Sequence, residues 1–155
     1  MEDPFYRELM NYAMRTLARR AHTVQELRGK LKKRPQHSSE LEDQIIGRLI
    51  ELKLLDDEAY VRRTLESAAH FKHEGYLKVA SKLTHKGIPL DQTRDAWREL
   101  DLPEKEIARA ALAKAQKRFQ SLPREKIYQK KVQFLAARGF DPSIIFELAK
   151  EHDTQ

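Results

Sequence analysis

Residues 83–92 read LTHKGIPLDQ, and residues 135–144 read LAARGFDPSI. Each runs from a Leu through two further residues to a base, a Gly and an apolar residue, after which a new helix start follows. A Lys-Gly turn can grip phosphate, but this order is also how a helix ends: Gly takes the left-handed conformation and the next apolar residue packs back. The spacing favours the second reading. Leu31, Leu83 and Leu135 recur every 52 residues, as do Arg34, Lys86 and Arg138, while Gly87 and Gly139 align with another helix stopper, Pro35. A unit of this length suits a three-helix module, and neighbours in such an array hide each other's apolar ends.

Working outward, Asp3-Pro4 predicts a helix start, with Tyr6, Leu9, Met10, Ala13 and Leu17 on one face to about Ala21. Thr23 and Glu26 form a capping box for a second helix carrying Val24, Leu27 and Leu31, which Pro35 ends. A further box, Ser39 to Glu42, opens a helix bearing Leu41, Ile45, Leu49 and Leu52. At Asp56-Asp57 the pattern restarts, with both carboxylates read as caps for a helix through Tyr60, Val61, Leu65 and Ala68 to about Lys72. Gly75 precedes a helix with Val79, Ala80 and Leu83, and another runs from Pro89 through Trp97 to Leu100. Pro103 begins the third round: one helix with Ile107, Ala111, Leu112, Ala115 and Phe119, one with Tyr128, Val132 and Leu135, and one from Asp141-Pro142. The expected fold is all-α: three tandem three-helix, helix-turn-helix-like repeats in an elongated, curved array. The expected boundaries are 1–54, 55–101 and 102–152, with a flexible tail at 153–155.

The bulk composition narrows the function classes. No cysteine is present among 155 residues, which removes disulfide frameworks, thiolate nucleophiles and thiolate metal sites. The beginning MEDPFYREL has no apolar signal core and no run approaches a membrane span, so a monomeric cytoplasmic protein away from membranes is expected. No Gly-rich phosphate loop, Ser-His-Asp set or His-Glu-x-x-His motif stands in the chain, so no enzyme activity, cofactor or metal is expected. The net charge of +6 is unevenly placed. Residues 1–55 carry 11 basic and 8 acidic groups, 56–101 carry 8 and 9, and 102–155 carry 11 and 7. Basic ends suit a long negative surface such as a nucleic acid.

Three segments in order, LARRAHTVQELRGKL at 17–31, LKLLDDEAYVRR at 52–63 and KLTHKGI at 82–88, resemble the RecX family of bacterial recombination regulators. The resemblance implies a protein that binds RecA and the RecA–nucleoprotein filament, inhibits recombinase and coprotease activity, and thereby modulates DNA repair and the SOS response. It also implies weak binding to single- and double-stranded DNA and no catalysis. The competing reading is a stand-alone helix-turn-helix DNA-binding protein. Against it, the third helices, with DQTRDAWREL and PSIIFELAKEH, are acidic rather than rich in base-reading side chains.

A nucleoprotein groove calls for Lys and Arg at helical spacing. Lys78, Lys82 and Lys86 form such a row on the second helix of the middle unit. Lys126, Lys130, Lys131 and Arg138 occupy the corresponding helix of the last unit, and Arg28, Lys30, Lys32, Lys33 and Arg34 that of the first. Arg15, Arg19 and Arg20 add charge to the first helix. The solvated-face reading competes for each residue, but the three-fold recurrence favours binding for the set. His70, His73 and His85 are read as surface or structural, and Trp97 and Tyr128 as core aromatics rather than base-stacking ones.

Overall fold

The computed structural model describes residues 3–151, so the expected tail at 153–155 lies outside the described residues. Among these residues the chain is helical throughout, without a strand. Helices α1 (Pro4–Arg19), α2 (Val24–Lys32) and α3 (Ser39–Glu51) close over a core containing Leu9, Leu27, Leu31, Ile45 and Leu49. Helix α4 (Asp57–Ser67) continues into a π-helical segment, Ala68–Lys72, and packs with α5 (Tyr76–His85) and α6 (Leu90–Leu100) around Val61, Leu65, Val79 and Ile88. Helices α7 (Glu104–Lys114), α8 (Gln116–Gln120), α9 (Arg124–Ala137) and α10 (Pro142–Lys150) enclose Ile107, Phe140, Ile145 and Leu148. The register residues Leu31, Leu83 and Leu135 are each 0% exposed, one in each core.

Local chemistry explains most boundaries. Asp3 accepts from Phe5 N at 2.8 Å, and both halves of the Thr23–Glu26 box are made. Four expectations need correction. The cap of α3 is Ser38, not Ser39, because Ser38 has the extended backbone a cap requires and accepts from Leu41 N, while the Glu42 carboxylate is engaged by Arg28 and His37. The helix expected to reach Lys72 changes to π geometry after Ser67 and ends at His73, a non-Gly residue with φ 53°. The long helix expected after Pro103 breaks at Ala115. Leu52 and Tyr128, placed on apolar stripes by periodicity, are 45% and 42% exposed.

The three cores are joined by a contact made twice from matching parts. The Thr23 hydroxyl at the start of α2 donates to Lys86 O at the end of α5 (2.6 Å), and Gly75 N at the start of α5 donates to Arg138 O at the end of α9 (2.8 Å). Both bonds span 63 residues. Beside them, Val24 N donates to Asp57 Oδ1 (2.9 Å) and Tyr76 N to Glu104 Oε1 (3.4 Å). In each case a carboxylate at the first turn of one core's opening helix caps the second helix of the preceding core. Asp56 caps its own helix through Ala59 N, so the expected pair of Asp caps divides between two helices. Gly87 and Gly139, with φ of 87° and 82°, sit inside these joints: a Cβ would meet the Gln25 side chain at the first and Lys78 N, 2.3 Å away, at the second.

Candidate nucleic-acid interface

The ends of the three second helices place three cations in register, two of them at the joints. The Arg34 guanidinium lies 4.6 Å from the Tyr12 ring centroid, Lys86 Nζ 5.4 Å from that of Tyr60, and the Arg138 guanidinium 4.9 Å from that of Phe134. Arg34 and Arg138 are each steadied by an aromatic face, whereas Lys86 lies off the hydroxyl end of the Tyr60 ring. The aromatic comes from the first helix of the unit in the first two cases and from α9 itself in the third.

The middle row divides in an unexpected way. Lys78 and Lys82 both pair with Glu74, at 2.7 and 3.0 Å, and Glu74 is only 4% exposed. Burial alone would raise the Glu74 carboxyl, but hydrogen bonds from Lys78 and Lys82 outweigh it and hold the group ionised below its ordinary range. Two of the three cations in the row are therefore partly neutralised from within. Lys86 instead donates to the Tyr60 hydroxyl (2.7 Å) and acts electrostatically on Glu26 without an ion pair to Glu74.

Of the first unit's bases, Arg28 is held by Glu42 and Asp43, and Arg20 by Glu26. Arg15, Arg19, Lys32, Lys33 and Arg34 are exposed and Lys30 is half-buried. In the last unit Lys126 and Lys130 are exposed, whereas Lys131 is 6% exposed. Lys131 sits on the inward side of α9, beside Ala149 and Glu151, so it departs from the open face expected for it. The structure thus does not bring the fifteen expected bases into one uninterrupted stripe.

It does form a groove of about 700 Å³ between α4 and α5. Tyr60, Arg63, Thr64, Lys72, Lys82 and Lys86 are among the residues lining it. Among the described residues, neither Arg63 nor Lys72 meets a carboxylate. These two were missed by the sequence reading because they belong to α4 and its π continuation rather than to the basic second helix. Only the packing of α4 on α5 reveals that they share a surface with Lys82 and Lys86.

Comparison with known proteins fits this architecture. A model described as RecX, first three-helix domain, matches residues 10–49, and one described as RecX, third three-helix domain, matches residues 104–148. A protein named regulatory protein RecX from Chlorobaculum tepidum is 38% identical over 143 residues, covering 91% of this chain and 86% of its own length. The chain belongs to the RecX family. A RecX from Prosthecochloris aestuarii is 35% identical, with 97% of each protein covered. The crystal structure of RecX from Lactobacillus salivarius shares the fold, with a TM-score of 0.79, 23% identity and coverage of 93% of this chain and 97% of that one. The RecX relatives are named as regulatory proteins, and the chain is accordingly a RecX-type regulator. Among the described residues no helix is long and apolar enough to cross a membrane.

Proposed function

We infer that this RecX-type protein binds RecA and the RecA–DNA filament and inhibits recombinase and coprotease activity, thereby modulating DNA repair and the SOS response. The observation that carries this reading is the near-full-length match to regulatory RecX proteins. The basic groove of the middle unit and the exposed bases of α1, α2 and α9 support it, since a nucleoprotein filament presents phosphates in quantity. The acidic α6, with Asp91, Asp95 and Glu99, is a poor recognition helix for duplex DNA, which speaks against a stand-alone helix-turn-helix reader. The units at 1–54, 55–101 and 102–152 act together as a monomer in the cytoplasm. The purified protein is expected to lower RecA's DNA-dependent ATP hydrolysis and shorten its filaments. Hydrolysis and filament length unchanged across a wide titration reject this function.

A further inference from the structure

The most exposed large apolar side chain among the described residues is Phe71, at 79%. It stands in the π-helical segment Ala68–Lys72, where the chain leaves α-helical geometry. The segment is held at both ends: Glu74 N donates to Ala68 O (2.9 Å), and Arg138 Nη1 from the next unit donates to Lys72 O (2.8 Å). His73 completes the turn at φ 53°, a left-handed conformation that is unfavourable for a non-Gly residue. An irregular backbone secured in this way holds a bulky ring out in water, where it gains nothing from the core.

The surroundings of Phe71 are cationic. Lys72, the next residue, lines the groove between α4 and α5, which also holds Arg63, Lys82 and Lys86. Lys72 follows Phe71 in the segment, and Lys114 and Arg138 act electrostatically on His73, two residues on. An exposed ring one residue from Lys72, which lines a groove of Lys and Arg, offers the two parts that single-stranded nucleic acid requires: a face for an unpaired base and cations for the backbone. Duplex DNA offers no free base face to such a ring, and an acidic peptide would use the cations but leave the ring idle.

We propose that the middle unit is a single-stranded nucleic-acid site in which Phe71 stacks on a base while Arg63, Lys72 and Lys86 hold the adjoining phosphates. The proposal rests on the regulator reading for its biological setting, but the site is tested without RecA. Binding of the full chain to a fluorescent oligothymidylate is compared with binding to an abasic strand of equal length, by anisotropy at low salt. Phe71→Ala is expected to weaken the base-bearing strand about tenfold and leave the abasic strand unchanged, with Phe71→Trp restoring affinity. Arg63→Glu with Lys72→Glu is expected to weaken both strands alike and reduce the salt dependence. The fold should tolerate Phe71→Ala, since the ring is nearly all in solvent, and circular dichroism checks this.

Equal binding of the thymidylate by wild type and Phe71→Ala overturns the site, as does an equal loss on both strands. If Phe71→Ala keeps oligonucleotide binding but loses binding to RecA in the absence of DNA, the ring is a protein contact and the proposal fails. Inhibition of RecA ATP hydrolysis by the wild-type chain, measured in parallel, separates failure of this site from failure of the regulator reading.

Discussion

Gly139 and Gly87 occupy matching turns, yet their substitution should not cost the same. At Gly139 an added Cβ would lie 2.3 Å from Lys78 N, which is helix backbone and cannot step aside. At Gly87 the nearest atoms belong to the exposed Gln25 side chain, whose amide end can swing away but whose Cβ, 2.5 Å off, is tied to α2, so only part of the clash is relieved. Gly139→Ala is therefore expected to destabilise by about 3 kcal/mol and Gly87→Ala by somewhat less, about 2 kcal/mol, measured by urea unfolding. Glu42, 5% exposed, makes a different prediction. Burial alone would raise its carboxyl, but hydrogen bonds from Arg28 and His37 outweigh it and depress the group. A depressed carboxyl contributes stability above its ordinary range and loses that contribution as pH falls through the folded value. Glu42→Gln should lower the urea midpoint at about pH 7 and flatten its decline between about pH 6 and about pH 3.

The second helices are where charge and architecture meet, and α5 shows how far a sequence can be read. Lys78, Lys82 and Lys86 do fall along one helix, as their spacing of four requires, but Glu74 precedes that helix and folds back beneath the first two. Removing its charge should expose theirs. Glu74→Gln is expected to strengthen binding to a single-stranded oligonucleotide several-fold and steepen its salt dependence between about 50 and about 200 mM, read by anisotropy. The period of 52 was legible because Leu31, Leu83 and Leu135 must all be buried. Tyr128 and Lys131 were misjudged because α9 carries apolar and basic residues on several sides, so its sequence does not say which side turns inward. The π segment left no periodic trace, since its five residues are too few to establish a new spacing. Phe71 was passed over for the same reason, while the more conspicuous Trp97 packs against Tyr76 at 5.4 Å.

Across the molecule, the joints predict a pattern of coupling. Thr23 closes the capping box of α2 and also donates to Lys86 O, so Thr23→Val removes two interactions with one hydroxyl. A loss of about 2 kcal/mol is expected. Hydrogen exchange should quicken together in the first turn of α2 and the last turn of α5, while the last turn of α9 keeps its protection because the second joint is untouched. A further consequence follows from what the joints are made of. At each joint one bond is received by a main-chain carbonyl and the other by a carboxylate, and a glycine without a side chain fills the closest approach. The stride from one second helix to the next is therefore set by helix ends and a few side chains of fixed length, like the rungs of a ladder cut to one gauge. Outer side chains can change while the gauge stays fixed, so the surface each rung presents can be retuned residue by residue without altering the stride.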